Sequence, residues 1–379
     1  MKIVKVESFL VSVPFKEEYR GSYLNVHRGI KRAEHVIVRV HTDDGLVGFG
    51  ETIGGASTIY LIDHLFGPAI IGYDPLDLER ILELMDELDG WWRGSSIHCF
   101  QKAGIEYALY DLIGKSLKLP VHKLLGGCYR EKIPLSWSIG IKPPKATAAE
   151  AEKRVAEGYR TVNLKIGSDI DRDIESVRLV RERVGDNVKI RADANQAFSS
   201  EVAIKVIKKM SKYELEYVEQ PVPAHPISNM IKVVNAVDTP VSADESVISI
   251  QDCIEVIENE AADIIAIKPL KHGGLYNAKK VAIIAEAAGI PCMMGGKCEL
   301  GIGVIASAHL VAASKIIEYD AEITGVLRHR ADILEEPLKY QQGCLEVPTE
   351  PGFGVNVDDS KLQEFAIFAG TPPQKIWKN

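Results

Sequence analysis

The chain has 379 residues, of which 46% are hydrophobic and 26% charged. This balance is typical of a globular protein and leaves room for two or three domains. The formal net charge is −8, from 45 basic and 53 acidic residues. An acidic balance disfavours nucleic acids and anionic membranes as partners, because basic patches bind both. No run of 18 apolar residues is present that would cross a membrane.

The six cysteines form no CxxC pair. Two of them, Cys292 and Cys298, are six residues apart and have no histidine nearby. The N-terminal residues alternate polar and apolar side chains and contain no hydrophobic core of a signal peptide. We therefore expect reduced thiols in a cytoplasmic protein.

The first part of the chain, residues 1–130, has the pattern of an α+β module. Alternation predicts strands at 3–13 and 35–41, and DDGLVG at 43–48 predicts the hairpin turn after the second strand. Apolar residues at helical spacing then predict three helices, at 59–71, 77–89 and 97–117.

The middle of the chain, residues 131–325, alternates strand-like and helical segments, which indicates a parallel sheet. The predicted strands are short and rich in β-branched residues: SWSIG (136–140), VNLKI, VKIRA, LEYVE, TPVSA, DIIAIK, PCMM (291–294) and KIIEYD (315–320). Eight strands with intervening helices predict an α/β fold of the (β/α)8 barrel type. In such a barrel, catalytic side chains lie at the carboxyl ends of the strands.

Five successive strands of this region end in a charged residue. In chain order these residues are Lys165, Asp193, Glu219, Asp244 and Lys268, spaced 24 to 28 residues apart. Because the strand ends meet at one mouth of a barrel, the sequence predicts three carboxylates flanked by two lysines. Taken singly, each lysine would be an ordinary surface residue and each aspartate a helix N-cap. The shared spacing favours a site.

After residue 325 the pattern breaks into short strands, turns and prolines, as in EEPLKY and LEVPTEPGFG. We predict that this segment, 326–379, packs back on the N-terminal module. The chain would then consist of a capping domain at 1–130, a barrel at 131–325 and a C-terminal segment that completes the cap.

The five charged residues predict a particular chemistry. Three convergent carboxylates repel one another unless a cation lies between them, and an all-oxygen ligand set favours Mg²⁺ over zinc. Positive charge nearby lowers the pKa of a lysine, so that Lys165 and Lys268 can act as bases. A metal ion also stabilises the enolate that forms when a carboxylate substrate loses its α-proton.

These motifs resemble those of the enolase superfamily, in its muconate-lactonizing subgroup, over nearly the whole chain. The resemblance extends to GFGE (48–51), to GIEYALYDLIGKSLKLPVHKLLGG (104–127) and to GGLYNAKKVAIIAEAAGIPCMMGGKCELGIGVIASAHLVAA (273–313). The mandelate-racemase subgroup fits less well. It uses an Asp–His pair as the second base, whereas this chain has Lys268 and no histidine at the next strand end.

The resemblance implies a Mg²⁺ ion bound by Asp193, Glu219 and Asp244, with Lys165 and Lys268 as the acid/base pair. It also implies a homo-oligomer that acts on a small carboxylate. One position departs from the family's Lys-x-Lys pattern in the second strand, where Asn163 precedes Lys165. Asparagine donates a hydrogen bond but brings no charge, which leaves the substrate class open.

Further polar residues are predicted to bind the substrate. They are Asn163, Asn195, Glu299, Asp320, Glu322, Arg20 and Tyr23. The alternatives are a turn for Asn195 and a helix cap for Asp320 and Glu322. The latter pair resembles, imperfectly, the Asp-x-Asp with which dipeptide epimerases bind the substrate ammonium. Glu245 is predicted either to orient Lys268 or to be solvated.

Arg20 and Tyr23 lie in the first of two predicted loops, at 16–30 and 51–58. Glycines in these loops would let them close over the barrel mouth and set specificity. The alternative is a pair of ordinary surface loops.

The sequence therefore predicts a Mg²⁺-dependent isomerase that works through an enolate. It would be a muconate-type cycloisomerase, or a racemase or epimerase of an N-acyl amino acid or dipeptide. Dehydration of an acid sugar or hydroxy acid by the same chemistry is one alternative. A barrel that binds without catalysis is another, which the intact acids and lysines disfavour.

Overall fold

The computed structural model of the chain describes residues 1–19, 32–89 and 98–369. An antiparallel sheet covered by helices forms the N-terminal part. Its strands are β1 (Ile3–Pro14), β2 (Arg32–Thr42), β3 (Val47–Ile53) and, from the far end of the chain, β14 (Ala366–Ala369). The strand order is β14–β1–β2–β3. The helices are α1 (Ala56–Leu61), α2 (Gly67–Ile70), α3 (Leu78–Leu88), α4 (Cys99–Leu117) and α5 (Val121–Leu124).

Helix α4 packs directly on strand β3 because two strand positions are glycines. A Cβ atom on Gly48 would lie 2.1 Å from the carbonyl oxygen of Ala108, and one on Gly50 would lie 1.9 Å from that of Gly104. Buried aliphatic side chains of β2 and α4 fill the adjoining core. The strands, hairpin turn and helices predicted for this part are confirmed, with bounds shifted by a few residues.

A curled parallel sheet occupies the middle of the chain. Its strands are β5 (Ser136–Ile139), β6 (Thr161–Lys165), β7 (Lys189–Asp193), β8 (Leu215–Glu219), β9 (Val241–Ala243), β10 (Ile264–Ile267) and β11 (Cys292–Met294). Each pairs in parallel with the next one along the chain. The helices between and after them are α6 (Pro144–Ala156), α7 (Ile170–Val184), α8 (Ser200–Met210), α9 (Ser228–Val234), α10 (Ile250–Glu258), α11 (Leu275–Ala287) and α12 (Gly301–Ala312).

The segment after α12 contacts both edges of this sheet. Ile317 forms a parallel bridge with Cys292 of β11, and Ala321 forms one with Leu135, next to β5. The sequence predicts a strand at 315–320, whereas the structure has isolated bridges there. A turn at 315–316 and a bend at 319 interrupt the extended backbone that a continuous ladder requires.

The rest of the chain returns to earlier elements. Short strands β12 (Tyr340–Gln341) and β13 (Cys344–Glu346) form a small antiparallel sheet with β4 (Lys132–Pro134). Helix α13 (Asp359–Phe365) then leads into β14, which pairs with β1 through Phe9 and Ala369. The last described residues therefore extend the N-terminal sheet.

Two buried carboxylates join the N-terminal part to helices of the parallel sheet. Glu106 of α4 accepts the backbone N–H groups of Leu275 and Tyr276, at 2.8 and 2.7 Å. Glu51 of β3 accepts those of Leu300 and Gly303, each at 2.7 Å. These N–H groups have no partner within their own helix, and a carboxylate also complements the helix dipole. Both contacts fix α11 and α12 against the N-terminal part.

The loop predicted at 51–58 is much shorter in the structure, where only residues 54–55 lie between a strand and a helix. Strand β3 continues to Ile53, which pairs with His35, and helix α1 begins at Ala56. The strand continues because its ladder with β2 extends past Glu51 to Ile53. Of the other predicted loop, Glu17–Tyr19 form a 3₁₀ turn, while residues 20–30 lie outside the described residues. Within the described ranges, no helix has the length and apolar character needed to cross a membrane.

Candidate active site

The predicted charged residues come together at the carboxyl ends of the parallel strands. Lys165, Asp193 and Glu219 are the last residues of β6, β7 and β8. They stand directly opposite one another in the strand register, Lys165 beside Asp193 and Asp193 beside Glu219. Asp244 and Lys268 follow β9 and β10 by one residue. Equal strand ends in a parallel sheet thus place all five at one level.

Each lysine forms an ion pair with a different acid. The Nζ atom of Lys165 donates to Oδ2 of Asp193. The Nζ atom of Lys268 donates to Oδ2 of Asp244 and lies 3.7 Å from Oε1 of Glu219. The two lysines therefore flank the acids from opposite ends of the row, with Glu219 between them.

Burial and neighbouring charge shift the pKa values at this site. Burial and the nearby Asp193 raise the pKa of Glu219 well above its ordinary value. Although burial alone would raise it, the ammonium groups of Lys268 and Lys271 hold the pKa of Asp244 well below its usual range.

The lysine pKa values move in the opposite direction to the one predicted from the sequence. Burial alone would lower the pKa of each lysine, but the surrounding carboxylates raise both, with Asp193 foremost for Lys165 and Asp244 foremost for Lys268. The carboxylates are the charges nearest to each ammonium group, and their effect exceeds that of burial. A cation bound among the acids, as predicted from the sequence, would lower both lysine pKa values instead.

Two residues that hold Asp244 were not predicted from the sequence. Lys271 donates from Nζ to Oδ1 and to the carbonyl oxygen of Asp244, at 2.8 and 2.6 Å. Gln220 accepts the backbone N–H groups of Asp244 and Ser246 at its Oε1 atom. Gln220 directly follows Glu219 in VEQP, and Lys271 is three residues after Lys268. Their closeness to two predicted site residues was the signal by which the sequence could have identified them.

Asn195 and Glu245 form an outer layer at the same mouth. The backbone N–H of Asn195 donates to Oδ1 of Asp193 at 2.8 Å, and its side chain donates to Oε1 of Glu245 at 3.1 Å. Asn195 has a φ of +42°, a left-handed conformation that asparagine tolerates well. Asn195 thus lies in the predicted turn and contacts two acids at the mouth, and its binding of a substrate stays a prediction.

Asn163, in β6, contacts Glu322, which lies in the segment after α12. Its buried Nδ2 atom donates to Oε1 of Glu322, which is half-buried. Asp320 lies one step deeper, where its Oδ2 atom accepts the hydroxyl of Thr161 at 2.6 Å. Asp320 and Glu322 therefore both contact side chains of β6, and no helix begins at either of them.

Glu299 is buried beneath the mouth, close to the N-terminal part. Its Oε2 atom accepts the backbone N–H of Lys297 at 2.7 Å. Burial, together with the charge of nearby Glu51, raises the pKa of Glu299. Of the remaining predicted substrate-binding residues, Arg20 and Tyr23 lie outside the described residues.

The donor set fits a hard divalent cation. In the described part of the chain, no three Asp, Glu, His or Cys side chains are as close together as the ligands of one ion, because the lysine ammonium groups lie against Asp193 and Asp244. The Oε2 atom of Glu219, however, is buried and receives no hydrogen bond from a described residue. An orphaned carboxylate oxygen among acids is an oxygen donor of the kind that Mg²⁺ binds.

Two family descriptions match the chain and together span most of it. Residues 20–126 match "Mandelate racemase / muconate lactonizing enzyme, N-terminal domain". Residues 146–361 match "Enolase C-terminal domain-like".

Individual relatives are similar over nearly their whole length. The N-succinyl-L-Arg/Lys racemase of Bacillus cereus is 31% identical, over 97% of this chain and 99% of the relative. The structure of the Enterococcus faecalis dipeptide epimerase with Mg and L-Leu-L-Tyr superposes with a TM-score of 0.87 at 35% identity, over 94% of this chain and 100% of that one.

A third relative is the muconate lactonizing enzyme of Pseudomonas fluorescens, in complex with muconolactone. It superposes with a TM-score of 0.90 at 32% identity, over 96% of this chain and 99% of that one. These relatives are isomerases, which confirms the class of enzyme predicted from the sequence. The chain belongs to the mandelate racemase/muconate lactonizing enzyme family of the enolase superfamily.

Proposed function

We propose that this protein is a racemase or epimerase that inverts the α-carbon of an N-acyl amino acid or a dipeptide. The observation that carries the proposal is the placement of Lys165 and Lys268 at opposite ends of one row of acids, each paired with a different carboxylate. Inversion of a carbon requires a base on one face and an acid on the other. Two lysines that flank one site meet this requirement.

Asp193, Glu219 and Asp244 would hold a Mg²⁺ ion. The bound ion would supply positive charge that stabilises the enolate oxygens and offsets the carboxylates that raise the lysine pKa values. The dipeptide epimerase of Enterococcus faecalis, which has a structure with Mg, supports this assignment. So does the orphaned Oε2 atom of Glu219.

The two lysines then divide the reaction. The Nζ atom of one lysine, as the free amine, removes the α-proton, and the electron pair of the C–H bond delocalises into the carboxylate as an enolate. The other lysine, as the ammonium, donates its proton to the opposite face of the α-carbon. In the reverse reaction the roles exchange, so that one enantiomer depends on Lys165 as base and the other on Lys268.

Glu322 favours a substrate with an N–H or ammonium group. Its hydrogen-bond partner is the neutral amide of Asn163, and the nearby buried guanidinium of Arg191 is paired with Glu216, so no described residue forms an ion pair with Glu322. Glu322 also lies within electrostatic range of Lys165. A cationic or N–H group of the substrate next to the α-carbon would complement this carboxylate. Dipeptides and N-acyl amino acids both provide such a group.

A muconate-type cycloisomerase is the second candidate. The similarity to the muconate lactonizing enzyme supports it, at a TM-score of 0.90. In that reaction a single lysine suffices for proton transfer, and the other acts through its charge alone. Dehydration of a hydroxy acid through the same enolate remains an alternative.

We also infer that the sheet closes into a (β/α)8 barrel, with a capping domain at 1–130, the barrel at 131–325 and a C-terminal segment at 326–379. The bridges from Ile317 to β11 and from Ala321 to the start of β5 support closure. The pairing of β14 with β1 supports a C-terminal segment that completes the cap. A homo-oligomer and a cytoplasmic location stay predictions.

Proton exchange in D₂O tests the proposed function. The protein is incubated with Mg²⁺ and, in turn, N-acyl amino acids, dipeptides, cis,cis-muconate and hydroxy acids, and α-deuteration is followed by NMR and mass spectrometry. Inverted, deuterated product from an amino acid derivative supports the racemase or epimerase. Lactone formation from muconate alone would establish the cycloisomerase instead, and an alkene or keto product would establish the dehydratase.

A further inference from the structure

A third lysine stands at the mouth of the site, in the loop after strand β11. The loop begins with Gly295, where a Cβ atom would lie 2.2 Å from Cε of Lys268. The side chain of Lys268 thus passes directly over this glycine. Lys297 follows two residues later, on the same loop, so it stands beside Lys268 at the carboxyl end of the sheet.

The ammonium group of Lys297 has no carboxylate within ion-pair distance among the described residues. The nearest acid in sequence, Glu299, is turned away, since its carboxylate accepts the backbone N–H of Lys297 and lies near Glu51. The Nζ atom instead lies 5.5 Å from the ring centre of Phe100, at the start of α4. An aromatic ring supports a cation without neutralising it.

Lys297 is an exposed cation close to the Lys268 end of the row. Burial of its ammonium group and the positive charge of Lys268 lower the pKa of Lys297, while the carboxylates of Asp244 and Glu245 act in the opposite direction. Asp244 is already paired with Lys268 and Lys271, and Glu245 lies beyond ion-pair distance of Lys297. Lys297 can therefore bind an anionic group that reaches this side of the mouth.

We propose that Lys297 binds a second carboxylate of the substrate, remote from the reacting carbon, on the Lys268 side of the mouth. The inference rests on the proposed function, which places the α-carbon between Lys165 and Lys268. A group bound at Lys297 must then extend past Lys268. The substrate class narrows to molecules with two carboxylates, such as an N-acyl amino acid with an acidic acyl chain or a dipeptide with an acidic side chain.

Two matched substrate pairs test this proposal. N-succinyl-L-leucine and N-butyryl-L-leucine differ only in a terminal carboxylate against a methyl group on the acyl chain. L-Ala-L-Glu and L-Ala-L-norvaline differ in the same way on the side chain. For the wild-type protein with Mg²⁺, kcat/KM for α-deuteration should be at least tenfold higher for the carboxylate member of one pair. The pair that shows it identifies where the second carboxylate lies.

Lys297→Met should reduce that preference at least tenfold, mainly through KM, and Lys297→Arg should retain most of it. Lys212→Met is the matched control. Lys212 is also an exposed lysine above an aromatic ring, with Nζ 5.0 Å from the ring centre of Tyr213, but it precedes β8 at the opposite end of the sheet. This control should leave the preference unchanged.

Equal kcat/KM within both pairs for the wild-type protein would overturn the proposal. So would a preference that survives Lys297→Met. Absence of exchange from all four compounds would count against the proposed function, and titration calorimetry of the same pairs would then decide the role of Lys297. A tighter Kd for the carboxylate member that Lys297→Met abolishes would support a second-carboxylate site, and equal Kd values would refute it.

Discussion

The two ends of the row of charged residues, Lys165 and Lys268, differ more than their sequence motifs suggest. Lys165 pairs with Asp193, whose other oxygen accepts a backbone N–H of Asn195. Lys268 pairs with Asp244, whose other oxygen accepts a second ammonium group, that of Lys271. One acid is thus held by the main chain and one lysine, and the other by two lysines.

The surroundings extend this difference. Next to Lys165 are the neutral amide of Asn163 and the carboxylate of Glu322. Next to Lys268 is the further cation of Lys297. Among the described residues, a substrate that spans the row would therefore meet a carboxylate without an ion-pair partner, Glu322, at the Lys165 end and an ammonium group without one, Lys297, at the Lys268 end. This polarity would orient a substrate that carries an N–H group on one side and a second carboxylate on the other.

Glu219 lies at the centre of the row, so its substitution should slow exchange from both enantiomers alike. We expect this change to have the largest effect on activity. Glu219→Gln removes the carboxylate whose free oxygen is proposed to bind Mg²⁺, and activity on both enantiomers should fall by about 10³-fold or more, since a metal ion supplies several kcal/mol of stabilisation. Excess chelator should act the same way on the wild-type protein. The measurement is exchange from each enantiomer, with circular dichroism to check the fold.

Glu201→Gln, on the exposed first turn of α8, is the control. It should change neither the exchange from either enantiomer nor the circular dichroism spectrum. Full turnover in excess chelator would refute the metal assignment. Loss of exchange from one enantiomer only would show that Glu219 belongs to one end of the row rather than to its centre.

The two lysine substitutions should separate the ends. Lys165→Ala should slow exchange from one enantiomer by about 10² to 10⁴-fold, the contribution of a general base, and Lys268→Ala should slow exchange from the other. Each variant should still exchange the proton of the enantiomer whose base it retains. If both substitutions slow the same enantiomer alone, one lysine acts through its charge, which favours the cycloisomerase. Effects below about tenfold in both would refute the assignment.

Lys271→Met should lower the free energy of unfolding by removing a contact at the Lys268 end of the row. It leaves a buried carboxylate with one ammonium partner instead of two, and removal of one member of a buried ionic group costs about 3 kcal/mol. Added Mg²⁺ should recover part of this loss if Asp244 is a ligand. Asn195→Gly is the matched change at the other end. It keeps the left-handed backbone and the N–H that holds Asp193, and should cost only about 1 kcal/mol.

Urea unfolding with and without Mg²⁺ measures both changes. Equal losses of unfolding free energy in the two variants would contradict the difference in how Asp193 and Asp244 are held.

The sequence was sufficient to predict the five charged residues because they depend on a regular repeat. Lys165, Asp193 and Glu219 end strands of equal length, and parallel pairing keeps such ends in register. The same regularity made the parallel sheet predictable. The segment at 315–320 was less so, because its short turn after α12 leaves no periodic signal.

Contacts between distant segments could not be read from local pattern. Glu51 was predicted to begin a loop, but it lies within β3 and accepts two backbone N–H groups from the first turn of α12, which follows 249 and 252 residues later in the chain. Lys271 reaches Asp244 only because a 3₁₀ turn at Pro269–His272 folds the chain back after Lys268. Each of these depends on a tertiary approach that spacing along the chain does not encode.

The smallest and most selective change is Asn163→Lys, at the Lys165 end. A lysine there would pair with Glu322 and place a positive charge two residues from Lys165, where carboxylates now raise the pKa. A nearby cation lowers the pKa of an ammonium group. Lys165 acts as a base only after losing its proton, so the pH at which its exchange reaction is half-maximal should fall, and exchange near neutral pH should change by only a few-fold.

The measurement is the pH profile of α-deuteration for each enantiomer separately. Exchange that depends on Lys268 should keep its profile, because Asn163 lies at the other end of the row. Glu322→Gln in the Asn163→Lys background should enlarge the shift, since it removes the carboxylate that offsets the new charge. A shift of equal size for both enantiomers would mean that the two ends share one electrostatic environment. The absence of any shift would mean that a charge at position 163 does not affect the pKa of Lys165.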